Sequence, residues 1–253
     1  MLIDTHCHLD AAEFDADRDA VYAAALAAGV GRIIVPGVTV NRLFRPKSKI
    51  ADYPACLEAY GIHPLYVDQS SLDDLSRLRD WLQQAPPVAV GEIGLDFYVG
   101  GIDSDRQTHF FVEQLRLARE FDLPVLLHVR RAVDPVLKQL RRIGVRGGIA
   151  HAFNGSRQQA DEFIKLGFAL GFGGAMTFSG STRIRELART LPLESIVLET
   201  DAPDIPPAWL NGGRNAPDEL PRIAAVLADL RGLTPAEVAA SSAANARRVL
   251  PGI

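Results

Sequence analysis

Cysteine is nearly absent: Cys7 and Cys56 are the only two in 253 residues, too few for a disulfide framework or a thiolate zinc site. Long apolar runs are missing too. Nothing reaches membrane-spanning length, and no basic segment followed by an apolar stretch opens the chain, so a cytoplasmic location with no membrane contact is expected. Charge of one sign does not dominate. A net charge of −4 weighs against a dedicated non-specific nucleic-acid binder, which shows a basic face. It leaves room for a nuclease that meets phosphates through a metal and a few arginines. No low-complexity stretch or linker divides the chain, so residues 1–253 are expected to form one domain.

What is present is ordinary in bulk, 47% hydrophobic and 23% charged, and regular in order. Short apolar runs at residues 2–6, 32–36, 59–63, 87–92, 123–128, 148–151, 168–172 and 195–199 read as strands. Helical signatures lie between them. Asp15 or Asp17 is placed to cap the first helix and Gly29 to stop it. Residues 41–52 read as a crossover helix if Pro46 lies in its first turn. The capping-box pattern occurs at Ser104-Asp105-Arg106-Gln107, at Ser156-Arg157-Gln158-Gln159 and at Thr234-Pro235-Ala236-Glu237. Eight strands alternating with helices predict a single-domain α/β fold, the TIM (β/α)8 barrel, whose typical length is ~250 residues. The competitor, an open doubly wound sheet, would carry a Gly-rich phosphate turn after its first strand; His6-Cys7-His8 stands there instead.

In a barrel, side chains at the C-terminal ends of different strands converge on one mouth. His6, His8, Glu92, His128, His151 and Asp201 occupy such positions. His6 and His8 alone are a weak signal, since two imidazoles on one strand face are equally well satisfied polar residues. Six nitrogen and oxygen donors from five strand ends point to metal. They exceed what one tetrahedral ion uses; a pair of divalent ions sharing Glu92 fits better. Two ions about 4 Å apart lower the pKa of a bound water and hold the attacking and leaving oxygens of a phosphoryl displacement. Asp201 is a candidate proton acceptor, so Glu92 and Asp201 are the expected catalytic residues. Imidazole-rich ligation suits zinc, manganese or iron-type ions better than magnesium.

Four segments then carry a resemblance. Ile3-Asp4-Thr5-His6-Cys7-His8-Leu9, Gly61-Ile62-His63-Pro64, Gly91-Glu92-Ile93-Gly94-Leu95-Asp96 and Glu199-Thr200-Asp201-Ala202-Pro203 resemble the signatures of TatD-type metal-dependent hydrolases of the amidohydrolase superfamily. The resemblance extends to Asn245-Ala246-Arg247-Arg248-Val249-Leu250, essentially the whole chain. Asp201–Pro206 and Arg131–Asp134 are most similar to the YjjV branch. The resemblance implies a deoxyribonuclease, with a 3′–5′ exonuclease as one form, acting on single-stranded DNA or strand ends with no obligate protein partner. It places His6, His8 and Asp201 on one metal, His128 and His151 on the other, and Glu92 between them. The family is commonly described as magnesium-dependent, which leaves magnesium, manganese and zinc as candidates. Where the family has His-x-Phe-Ser-Gly, this chain has His151-Ala152-Phe153-Asn154-Gly155.

Substrate contacts are expected from His63 at a strand end, from Arg130 two residues past His128, and from Arg214 and Asn215 after the eighth strand. His63 is as readily a packed residue, and Arg130 a surface ion-pair partner. Tyr98 and Phe153 on mouth loops are candidates for base stacking, Arg42, Arg45, Lys47 and Lys49 for a basic rim. Asp4 is placed to orient a ligand imidazole; Cys7 is expected in the core and His109 on the surface. The alternative function is an amide, ester or lactone hydrolase acting on a small molecule, because metals polarise a carbonyl as readily as a phosphoryl oxygen. A metal-stabilised binding protein is a third class, disfavoured because a closed structural site has no use for six donors at an open mouth.

Overall fold

Strand burial sets the architecture. The strand Ala89–Asp96 is buried at all eight positions and Phe168–Phe172 at all five, which requires cover on both faces. The computed structural model describes residues 1–39 and 48–253. Its strands are β1 (Leu2–Asp4), β2 (Val30–Pro36), β3 (Cys56–Tyr60), β4 (Ala89–Asp96), β5 (Val125–Arg130), β6 (Gly148–Ala150), β7 (Phe168–Phe172) and β8 (Ile196–Leu198). They form one parallel eight-stranded sheet in sequence order. Thr5 N–H donates to Leu198 O at 3.1 Å, and Asp201 N–H to His6 O at 2.8 Å. These bonds bring the last strand back to the first, and the sheet is a nearly closed barrel.

The helices among the described residues are α1 (Arg18–Ala27), α2 (Asp73–Gln84), α3 (Ser104–Glu120), α4 (Val133–Ile143), α5 (Arg157–Lys165), α6 (Thr182–Thr190), α7 (Leu220–Arg231) and α8 (Pro235–Val249). Full capping boxes start α5 at Ser156 and α8 at Thr234. At α3, Asp103 is the cap instead, accepting from the Asp105 and Arg106 amides. None of these helices is long and apolar enough to cross a membrane.

Two apolar clusters hold the layers. Ile3, Ile34, Ala59, Ala89, Leu126, Ile149, Ala169 and Val197 pack together, one from each strand, with Ala243, Ala246 and Leu250. One residue from every strand can meet only inside a barrel, so this cluster is its interior. Leu126 and Ile149 lie two residues before His128 and His151 and therefore share their strand face. The outer cluster joins strand residues such as Ile33 and Leu127 to helix residues such as Phe111 and Leu140.

Three expectations change. The third strand ends at Tyr60, so His63 is beyond it, capping a 3-10 turn over Pro64–Gln69. Of the crossover helix expected over residues 41–52, residues 41–47 lie outside the described residues, as do Arg42, Arg45 and Lys47; residues 49–52 form turns. The fourth strand runs four residues past Glu92, to Asp96. Gly94 makes that continuation possible. Its φ is +152°, and a Cβ there would sit 1.9 Å from the His128 carbonyl oxygen, so only glycine lets β4 lie this close to β5.

Candidate metal centre

Just past β1, the backbone of residues 6–8 is pinned between β2 and the Asp201 loop. Cys7 N–H donates to Ile34 O at 3.0 Å and His8 N–H to Ala202 O at 2.8 Å. His6 and His8 thus face the barrel mouth while Cys7 is buried in the core. Glu92 from β4, His128 from β5, His151 after β6 and Asp201 after β8 converge on the same point, as the sequence pattern requires.

The two oxygens of Glu92 divide the site. Oε2 stands 3.2 Å from His6 Nε2 and 3.6 Å from His8 Nε2. Asp201 Oδ1 completes that side, 3.5 Å from His6 Nε2 and 3.7 Å from His8 Nε2. Oε1 stands 2.9 Å from His128 Nδ1 and 3.0 Å from His151 Nε2. The His6 and His151 rings stack between the halves, centroids 3.9 Å apart.

Buried polar atoms without partners test whether these residues suit a metal. Both ring nitrogens of His6, Nδ1 of His8, Nδ1 of His151 and Oε2 of Glu199 are buried with no hydrogen bond. Buried polar atoms are otherwise almost always satisfied. Donor atoms of His6, His8 and Asp201, and of His6, Glu92 and His151, lie within 4.8 Å of one another. Imidazole and carboxylate donors at such spacing fit a divalent ion.

The electrostatics agree. Burial, then the neighbouring His151, lowers His6 to about 3, which keeps it a neutral donor. Burial disfavours charge on His151, but Glu92 and Asp201 outweigh it and raise that ring to about 10. Burial also opposes ionisation of Glu92, yet the surrounding histidines hold its carboxyl well below the usual range. Asp201 is shifted upward, chiefly by burial.

His63 is close to this set but differs in kind. Its Nε2 lies 3.4 Å from Glu92 Oε1 and 3.2 Å from His128 Nδ1. Its Nδ1 accepts from Leu65 N–H at 3.1 Å, so Nδ1 holds the lone pair. Burial lowers its pKa, and in the neutral ring the proton then sits on Nε2. His63 therefore presents a proton to the mouth, where a ligand would present a lone pair.

Asp96 is the residue that the sequence reading passed over. Its Oδ2 accepts from His128 Nε2 at 2.9 Å, while Oδ1 accepts from the Tyr98 and Val99 amides at 2.9 and 3.0 Å. Burial raises its pKa, but the bonds to His128 and the two amides outweigh that and bring it to about 2. The signal was present in Glu92-Ile93-Gly94-Leu95-Asp96, once β4 is allowed to continue. Glu199 backs the centre from the other side. Its Oε1 accepts from Ala152 N–H and lies 3.8 Å from His151 Nδ1, and burial raises its pKa to about 8.

The remaining candidates separate. Tyr98 is half exposed and lines the cleft with Arg130. Phe153 is buried and packs edge-on against Phe163, so it offers no face to a base. Asp4 accepts from Thr200 N–H and Oγ1–H rather than from an imidazole; it holds the strand that leads into Asp201. Arg214 does not face the cleft. It makes a two-pronged pair with Asp17, at 2.9 and 2.6 Å, and donates to Glu13 O. Asp17 accordingly starts α1 without a side-chain capping bond. Asn215 is fully buried, and its amide donates to Thr200 O at 2.7 Å and Asp204 O at 2.9 Å. Asn215 braces the Asp201 loop from within, and Arg214 ties the same segment to Asp17 and Glu13. Asp201 itself has φ +57°, a conformation that needs such support.

With that geometry in place, comparison with known proteins is specific. The family described as TatD related DNase matches residues 3–251. The chain is 41% identical over 232 residues to the metal-dependent hydrolase YjjV of Escherichia coli K12, covering 90% of each chain. It superposes on the crystal structure of a YjjV protein from that organism with a TM-score of 0.94, at 39% identity, covering 98% of this chain and 97% of the other. It is 34% identical over 260 residues to the 3′-5′ ssDNA/RNA exonuclease TatD of Cronobacter sakazakii, covering 98% of this chain and 97% of that one.

Proposed function

The chain belongs to the TatD-related DNase family, and on that premise we propose that it is a metal-dependent phosphodiesterase cleaving single-stranded DNA from a strand end. The observation that carries this reading is the division of Glu92, with His6 and His8, themselves facing Asp201, at one oxygen and His128 and His151 at the other. A carboxylate so placed suits two divalent ions. Such a pair supplies Lewis acidity and a water of lowered pKa.

The chain's own groups do the rest. Asp201, made more basic by burial, accepts the proton of the attacking water. His63 Nε2–H donates to a phosphoryl oxygen or to the departing alkoxide as the P–O bond breaks. Arg130 offers a guanidinium to a phosphate of the substrate strand. Arg183, held by Asn154 Oδ1 at 2.7 Å, lines the same cleft and adds a second cation. Asn154 stands where the family segment has serine, so it gives this chain a means of its own to orient Arg183. The cleft, about 900 Å³, is lined by these groups and by Tyr98, and its size favours a nucleotide chain over a small acyl substrate.

Hydrolysis of labelled single-stranded DNA, with and without added divalent metal, tests the reading alongside Glu92→Gln and Asp201→Asn. Both variants should lose at least about a hundredfold in rate, the second with its metal retained. Metal-independent cleavage, or full activity in either variant, would overturn the mechanism. Faster turnover of p-nitrophenyl acetate than of DNA would move the site to acyl chemistry.

A further inference from the structure

Eleven arginines among the described residues lie within 4.0 Å of a carboxylate; Arg130 and Arg131 do not. Among the described residues neither has an ion pair or a side-chain hydrogen bond. Both stack instead on Tyr98, with guanidinium carbons 3.9 and 4.6 Å from the ring centroid. All three side chains line the metal cleft. Two like charges sharing one ring repel each other, and a ring face repays only part of that. An anion between the two forks would relieve it, because guanidinium matches phosphate oxygens in pairs.

The placement is also registered to the metal centre. Arg130 pairs with Asp96 across β4 and β5 and follows His128 by two residues on the same strand, roughly 6–7 Å along it. Asp96 ties the parts together: one oxygen holds the His128 ring, the other the amides of Tyr98 and Val99. The ring carrying both arginines is thereby fixed relative to the metal ligands, one nucleotide's reach away.

We propose that Arg130 and Arg131, stacked on Tyr98, form a second phosphate subsite that takes the phosphate next to the scissile one. The enzyme then favours a phosphodiester flanked by a further phosphate over an isolated one. The assignment rests on the nuclease reading for its substrate, though not for its charge chemistry.

The test uses the metal-loaded full chain and three thymidine dinucleotides, which carry no terminal phosphate, a 5′-phosphate or a 3′-phosphate. kcat/KM is measured for each, and Kd by competition against a dye-labelled oligonucleotide. The wild type should prefer one phosphorylated form by at least about tenfold, the worth of a charge-assisted contact, and which form it is reports the direction in which the strand lies. In Arg130→Gln/Arg131→Gln that ratio should collapse toward unity with metal content unchanged, whereas Tyr98→Phe, which keeps the ring face, should retain it. Either single arginine variant is read the same way should the double one misfold. The absence of a preference in the wild type, or its persistence in the arginine variants, would overturn the subsite. If the wild type cleaves none of the three, the nuclease reading falls and the Kd ratios alone judge the subsite.

Discussion

Asp96 Oδ2 accepts a hydrogen bond from His128 Nε2 at 2.9 Å, and the opposite nitrogen of that ring points at Glu92 Oε1 from the same distance. Burial disfavours charge on this ring, but Asp96 and Glu92 outweigh it and raise its pKa. The bond to Asp96 holds a proton on Nε2, so Nδ1 is the nitrogen left to give up its proton and coordinate an incoming metal. A candidate ligand held in this way has its orientation set before metal arrives.

The first prediction concerns that bond. Asp96→Asn keeps an oxygen for the Tyr98 and Val99 amides and removes the charge facing His128. Metal affinity should fall about 10–100-fold in a titration followed by calorimetry, with little change in Tm. Unaltered affinity would show that His128 needs no such partner.

Metal uptake should release protons. His151 is raised to about 10 by Glu92 and Asp201, so near neutral pH its ring carries a proton in the metal-free protein. Coordination requires the neutral ring, and that proton must leave. Apparent affinity should therefore rise with pH up to the His151 pKa and level off above it. Calorimetric titrations in buffers of different ionisation enthalpy would measure the release; heats independent of buffer would contradict it.

Asn215→Ala should destabilise the protein by about 1–3 kcal/mol, since it strands the buried carbonyl of Thr200 and removes the part-buried bond to Asp204 O. The loop carrying Asp201 loses its brace at the same time. Denaturant unfolding gives the energy, and a matching loss of metal affinity would distinguish a brace of the centre from a general stabiliser. Stability unchanged within error would refute the assignment.

Arg214 should behave in the opposite way. Its pair with Asp17 is solvent-exposed, and such pairs contribute little to stability. Arg214→Gln should lower stability only slightly, and KM for single-stranded DNA should move less than about twofold. A tenfold rise in KM would return Arg214 to the substrate site.

The barrel was legible in the residues, and so was the clustering of six candidate donors at its mouth. Apolar runs separated by helix signals dictate parallel strands covered on both faces, and a polar donor closing such a run can point only into the mouth. Glu92 and His128 follow from that local logic, because strand alternation assigns each a direction without knowledge of its neighbours; His6, His8, His151 and Asp201 stand just past their strands, and only their place at the strand ends is local. Asp96, Asn215 and Arg214 do not follow from the local pattern. The length of β4 depends on how closely β5 passes Gly94, a contact between residues far apart in the chain. Whether an arginine near the mouth is free depends on where a carboxylate lies in space: Asp17 takes Arg214, some two hundred residues away in sequence, and among the described residues no carboxylate lies within ion-pair distance of the Arg130 guanidinium. Periodicity determines which face a side chain takes; only the closed barrel decides what stands opposite it.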